Sequence, residues 1–228
     1  MGDYTDILLL YKKMLERLSE DGIRGVYYTA AKYFTRGTKD AFDLRFGTDT
    51  GGILPLWRFR TFSPNAVFGR RYEATDCEEL ERAIALLDGD LSTSTFVDLG
   101  CGKGRTLIVA SRMGFGKAVG VEFAPELVET ARKNVAWLGL RGVSIVLSDV
   151  TDFHFPNSDL VVYLFDPFSE EVMRKVITNL QASAARRLYV IYNSPKCADV
   201  LDSSGFLERF GAPLATRWTM QIWRKALS

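Results

Sequence analysis

The sequence predicts a doubly wound α/β fold, a mostly parallel sheet with helices on both faces, closed by a terminal antiparallel strand pair and preceded by an N-terminal helical extension. Three observations carry this reading. From Thr95 onward, short β-rich apolar runs alternate with helix-like segments. A glycine loop, Gly100-Cys101-Gly102-Lys103-Gly104, follows the first of those runs directly. The last two strand-like runs, 206–210 and 217–223, have no helix between them and are joined by the turn-forming Gly211-Ala212-Pro213.

The elements follow in order. Ile7, Leu10, Tyr11, Met14, Leu15 and Leu18 form one stripe of an amphipathic helix that Asp21-Gly22 closes, and the stripe is expected to pack on the body of the protein. A second helical stretch, the glycine- and aromatic-rich "FGTDTGGILPLWRFRTF", and a helix from about Cys77 to Leu87 complete residues 1–90, which read as an extension or lid. Residues 91–228 then form the domain proper. Phe96 to Leu99 is its first strand, 105–112 a helix, and Ala118 to Phe123 the second strand. The helix from Pro125 to Leu138 has proline in its first turn, Glu126 near its positive end, Arg132 and Lys133 later, and Gly139 to close it. Strands at 143–147, 160–165 and 188–192, with a helix at 170–182, continue the pattern, each strand apolar enough for burial on both faces. A short helix follows Pro195.

Composition narrows the function classes. With 29 lysines and arginines against 28 acids the formal charge is +1, so no global field favours nucleic acid or an anionic membrane. Arg58, Arg60, Arg70 and Arg71 interleave with Trp57, Phe59, Phe62 and Phe68, a pattern that can bind RNA by charge and stacking, but the neutral total argues against it. Three dispersed cysteines and a single histidine, His154, have no metal-ligand spacing, so no metal site is expected. The acidic start and the shortness of the apolar stretch 7–11 read as a soluble, unprocessed, cytoplasmic protein.

The glycine loop decides among nucleotide-type sites. A dinucleotide fingerprint needs glycine where Arg105 stands, and a phosphate-binding P-loop needs Ser or Thr where Gly104 follows Lys103, which demotes both. What remains is G-x-G-x-G directly after a strand carrying Asp98. This pattern resembles motif I of the class I, seven-strand, Rossmann-like S-adenosylmethionine-dependent methyltransferases, over about Phe96 to Pro167. The resemblance implies S-adenosyl-L-methionine as cofactor, with Gly100, Cys101 and Gly102 passing close to its methionine part. Asp98 would accept from the amino group. Glu122, which with Phe123 ends the second strand 22 residues after Gly100, would hold the ribose hydroxyls. Asp149 and Val150, after the third strand, would receive adenine. "RYEATD", 71–76, resembles the tyrosine motif by which some lysine-directed members cover the methionine end, so Tyr72 or Thr75 is expected at the cofactor; the alternative is that Tyr72 is a half-buried aromatic at a helix entry. "FGTDTGG" with this segment is also similar to a bacterial group of unassigned acceptor.

The acceptor is read from Phe165-Asp166-Pro167-Phe168, at the end of the fourth strand. Amino-methylating relatives carry Asn or Asp, two prolines and an aromatic there; this chain has an acid, one proline and an aromatic. Asp166 is therefore the catalytic candidate, orienting an acceptor amine, and the competing role is to cap the helix beginning near Glu170. His154 lies in a polar loop without an identifiable partner. The expected activity is methyl transfer to an amine, with a protein lysine favoured. Alternatives are a small-molecule or RNA acceptor, or a non-catalytic S-adenosylmethionine-binding module.

Overall fold

A computed structural model describes residues 40–54, 59, 72–166 and 168–226. The stripe from Ile7 to Leu18, most of the arginine–aromatic segment (Trp57, Arg58, Arg60, Phe62, Phe68, Arg70 and Arg71) and Pro167 lie outside the described residues. The chain runs through α1 (Ala41–Phe46), β1 (Ile53–Leu54), β2 (Tyr72–Glu73) and α2 (Cys77–Ile84). It continues through β3 (Ser94–Leu99), α3 (Arg105–Arg112), β4 (Lys117–Glu122), α4 (Pro125–Trp137) and β5 (Val143–Leu147). The last part comprises β6 (Asp159–Phe165), α5 (Glu170–Gln181), β7 (Leu188–Asn193), α6 (Ala198–Asp202), β8 (Leu207–Arg209) and β9 (Met220–Lys225).

Seven strands form one sheet in the order β5-β4-β3-β6-β7-β9-β8, and β1 and β2 form a separate antiparallel pair. The five strands β3 to β7 are mutually parallel, while β9 runs antiparallel to both β7 and β8. The chain steps outward from β3 to β5 and then returns to the other side of β3 to lay down β6. That reversal opens a crevice at the carboxyl ends of β3 and β6, the place where open α/β sheets bind ligands.

Strand alternation sends successive side chains into two cores. Val97, Leu99, Val162 and Leu164 pack under α5 and α6, with Met173, Val176 and Leu201 facing them. Phe96, Val161, Tyr163 and Ile191 pack under α2, α3 and α4, with Leu80, Leu107, Val128 and Ala131. The helices obey local rules. Pro125 opens α4 in its first turn, and Gly139 past its end has φ +60°. Asp76 caps α2, accepting from Glu78 N and Glu79 N at 3.0 and 3.2 Å. Ser169 caps α5, which takes that role away from Asp166. One expectation is corrected: β5 is not buried on both faces. It is the outer strand, and Ser144 and Leu147 face solvent, Leu147 being 48% exposed. A strand with one neighbour at the sheet's edge keeps one open flank whatever its composition.

Candidate functional site

The glycine loop is shaped by its own backbone and by β4. Past the end of β3, the Gly100 and Cys101 amides both donate to Val121 O, at 2.8 and 3.1 Å, folding the loop against the end of β4. Gly100, Gly102 and Gly104 take φ values of +90°, +53° and +84°, in the left-handed region that L side chains rarely enter. Gly102 is constrained a second time, because a Cβ there would stand 2.2 Å from Tyr72 Cε2. Cys101 is buried, and burial pushes its thiol well above the ordinary range.

The sheet gathers the predicted acids. Asp98 and Glu122 lie near the ends of adjacent strands, and the amide of Ser148 donates to Glu122 O at 3.0 Å, bringing Asp149 to the same edge. Both Glu122 oxygens are engaged: Oε2 accepts from Gly102 N, and Oε1 accepts from Phe123 N and Ala124 N, each at 3.0 Å. Burial raises the Glu122 carboxyl, and those three amides pull it back only in part. Asp98 is 3% exposed and accepts from the Thr106 hydroxyl. Burial pushes it up to about 7, opposed by that hydrogen bond and reinforced by the nearby Glu122 charge. Asp149 Oδ1 accepts from Thr151 N and Oγ1 at 2.8 and 2.7 Å, capping a single 3₁₀ turn, and Val150 is buried in the α5 core.

A cover over the loop comes from the "FGTDTGG" segment and Tyr72, held by Asp43, Lys103 and Arg105, to which the motifs gave no role. Buried Asp43 accepts from Thr48 Oγ1 at 2.8 Å and from Thr50 N, Thr50 Oγ1 and Gly51 N at 2.7 Å each, so "FGTDTGG" is wound around one carboxylate. Burial alone would raise Asp43, yet these donors hold it below the usual carboxylate range. Arg105 joins this turn to the first residue of α3, with Nη2 at 2.5 Å from Asp40 and Nε at 2.9 Å from Thr50 Oγ1. Lys103 Nζ donates to Asp49 Oδ1 at 2.7 Å and to Gly51 O at 3.1 Å, and Asn134 Nδ2 bridges Asp49 O and Lys103 O. Tyr72 closes the layer: its ring lies against Gly102 and its hydroxyl donates to Thr50 O. Two cations flanking glycines in an otherwise apolar run were the available signal for Lys103 and Arg105.

A cleft of about 1050 Å³ runs from this cover along the sheet's edge to Phe165, Asn193 and Trp218. Glu73, Asp76 and Glu79 stand in its wall. Asp166 lies just beyond Phe165 with φ +36°, and its Oδ2 is 2.5 Å from Lys196 Nζ. His154 is exposed in the loop that leads into the start of β6, away from this edge, with Nδ1 3.1 Å from Asp152 O.

Residues 96–188, which span β3 through the first residue of β7, match the methyltransferase domain family. Over that stretch the chain resembles a class I S-adenosylmethionine-dependent methyltransferase domain. Among curated relatives, ribosomal protein L11 methyltransferase of Enterobacter sp. 638 is 30% identical over 142 residues, 60% of this chain and 43% of the relative. The chain thus spans less than half the length of that relative. In fold it is similar to a SAM-dependent methyltransferase from Aquifex aeolicus (TM-score 0.50, 19% identity, 66% of this chain and 88% of the other). It is likewise similar to magnesium protoporphyrin IX methyltransferase from Synechocystis with bound SAM (TM-score 0.52, 20% identity, 65% and 77%).

The residues around the glycine loop offer a donor set that fits S-adenosylmethionine. The glycine turn leaves no Cβ between backbone and ligand, buried Asp98 offers a carboxylate to an ammonium, and Lys103 and Arg105, the cations beside the loop, are already held by Asp49 and Asp40. A ligand here need carry no phosphate.

Two outcomes follow. Gly102→Val forces a branched side chain into the left-handed region and into the Tyr72 ring, and should lower S-adenosylmethionine affinity by about tenfold or more, a loss of about 1.4 kcal/mol. Calorimetry on the folded variant checks it, and unchanged affinity removes Gly102 from the site. The second outcome is a pH dependence. Because Asp98 has its folded value raised to about 7, the native state binds a proton more readily than the unfolded chain. Its contribution to stability is complete below the ordinary carboxylate range and is lost as pH rises through about 7. Glu122 is shifted in the same direction. An ammonium seated on Asp98 favours the ionised form, so cofactor affinity should move oppositely and rise about tenfold from pH 6 to 7.5. Titrations across that range check it; a flat profile, with no proton released on binding, detaches Asp98 from the cofactor.

Proposed function

We propose that the protein transfers a methyl group from S-adenosylmethionine to an amine nitrogen, with a protein lysine as the acceptor. The observation that carries this is the cleft beside the glycine loop, lined by Glu73, Asp76 and Glu79 together with the apolar surfaces of Phe165 and Trp218; Arg217 lines it too, 3.9 Å from Glu73 and with its amide donating to Glu79 at 2.7 Å. An acidic mouth over an apolar channel suits a basic side chain with a long aliphatic stem. The curated relatives' name, ribosomal protein L11 methyltransferase, supports a protein acceptor.

In this reading Asp98 receives the cofactor's amino group, Glu122 with Phe123 the ribose, Asp149 and Val150 the adenine, and Gly100 to Gly102 with Tyr72 enclose the methionine part. When bound, the cofactor supplies an electrophilic methyl group. The chain's own task is then alignment of the nucleophile and exclusion of water. The Asp43 turn, Tyr72 and Lys103 exclude water from above the loop. Asp166 orients the incoming amine, with Lys196 as its counter-ion until the acceptor arrives; Lys196 has a side chain 56% exposed and can turn into solvent. A lysine ammonium has no lone pair, so a proton must leave before transfer.

Incubating the protein with methyl-labelled cofactor and either recombinant ribosomal protein L11 or fractionated bacterial lysate tests the reading. Label should enter protein and appear as methyl-lysine after acid hydrolysis. Label confined to RNA or to small molecules overturns it. In the same assay Asp166→Ala should bind cofactor near-normally and transfer about tenfold more slowly or worse, a barrier increase of about 1.4 kcal/mol. An unchanged single-turnover rate removes Asp166 from the acceptor site.

A further inference from the structure

One polar cluster at the sheet's edge is used neither by the cofactor residues nor by the cover. Tyr163 on β6 and Asn193 on β7 are each 1% exposed. The register sets Asp98 beside Tyr163, and Phe165 beside Asn193, so by strand alternation all four share the face under α2 to α4. Thr75 Oγ1 lies 3.1 Å from the Tyr163 hydroxyl, and Asn193 Nδ2 donates to the same hydroxyl at 3.4 Å. The other end of that carboxamide, Asn193 Oδ1, is buried and has no hydrogen-bond partner among the described residues. Asn193 and Thr75 both line the cleft that ends at Phe165 and Trp218.

A buried amide oxygen that accepts nothing has given up its hydration without return, and a partly satisfied polar cluster is worse for stability than an apolar one. The surrounding backbone is strained as well. Asp166, Ser194 and Thr219, at three neighbouring strand ends, have φ of +36°, +55° and +62°. They are tied together, since Asp166 N donates to Asn193 O at 3.1 Å and Ser194 N to Thr219 O at 2.9 Å. Strain of this kind persists where the site over-determines it.

We propose that Asn193 Oδ1, oriented through Tyr163 and Thr75, accepts a hydrogen bond from the N–H of the acceptor amine and selects the amine against a carboxylate acceptor; this rests on the amine-transfer reading above. The chemistry favours an amide over a carboxylate at this point. A neutral primary amine has N–H bonds to donate and keeps one lone pair to aim at the methyl group. An uncharged oxygen accepts the N–H without favouring the unreactive ammonium as a carboxylate would. A carboxylate acceptor has no hydrogen to offer and leaves Oδ1 unpaired.

The test needs no natural substrate. The probe is n-butylammonium, the end of a lysine side chain, titrated by NMR into protein saturated with S-adenosylhomocysteine, with n-butanol and butyrate as controls. Wild type should show saturable binding of the amine and at least about tenfold preference over butyrate, with n-butanol reporting how much of the binding a neutral donor alone supplies. Asn193→Leu keeps the branching at Cγ in a somewhat larger side chain, and removes the unpaired oxygen together with the 3.4 Å donor to Tyr163. It should hold or raise the melting temperature, keep cofactor-product affinity within about twofold, and weaken amine binding by about tenfold or more. Asn193→Asp adds charge, and should bind the ammonium more tightly while moving the transfer profile to higher pH. Equal amine binding by wild type and Asn193→Leu, or absence of saturable amine binding by wild type, overturns the assignment. If proteins are not methylated while amine binding and its loss in Asn193→Leu persist, it is the choice of protein acceptor that has failed.

Discussion

The site depends on one buried carboxylate. Glu122 stands where β4 gives way to α4, and its two oxygens take the amides of Gly102, Phe123 and Ala124. Those three bonds couple the middle of the glycine loop to the approach of the next helix, across a gap that no backbone ladder spans. A charged acceptor with three donors is among the stronger polar arrangements a protein interior offers, and it is most costly to leave half-made. The raised carboxyl at Glu122 reflects the same balance, burial against donation. Removing that side chain would release the loop as well as weaken any ribose contact, so cofactor affinity and local stability are coupled there.

The second layer of control is the Asp43 turn. Its four donors come from residues 48–51, close in sequence, yet what it presents reaches across the chain to Lys103, Arg105 and Asn134. Lys103 is 8% exposed and Arg105 7% exposed, and charges so buried are tolerated because Asp49, Asp40 and Asp43 lie against them. A glycine loop with two basic residues resembles a phosphate site in composition. In the structure both cations are engaged in ion pairs that hold the cover down. Tyr72 lies over Gly102 because that residue has no side chain, so the same glycine serves the loop's φ and the cover's contact.

On the acceptor side, three strand ends leave their ladders through left-handed residues that are not glycine. Such ends cost conformational energy, and here they bring Asn193 and the segment carrying Trp218 to one end of the cleft, with Asp166 next to its lining residue Phe165. Ser169 caps α5, so Asp166 is not needed for the helix start. The local rule that an acid before a helix is a cap therefore yields to a rule of proximity: the residue nearest the first turn with a suitable hydroxyl takes the cap.

Most of the sheet and its helices were legible in the residues. Period-two apolar runs, Pro125 at a first turn, Gly139 past a helix end, and glycines at alternate positions after a strand are local signals, each set by sterics within a few residues. They placed Asp98, Glu122 and Asp149 at successive strand ends, and the topology that brings those ends together follows from the handedness of βαβ connections. The burial of β5 was misread because its composition does not tell whether a strand has one neighbour or two. The tertiary structure alone decided that Asp43 is the hub of the cover, that Lys103 and Arg105 are paired, and that Asn193 meets Tyr163 and Thr75. The Lys103, Arg105, Tyr163 and Asn193 hydrogen bonds join residues separated by 30 to 88 positions in the chain. Side-chain pairing over such distances depends on strand order and register, which emerge only when the whole apolar surface is buried at once.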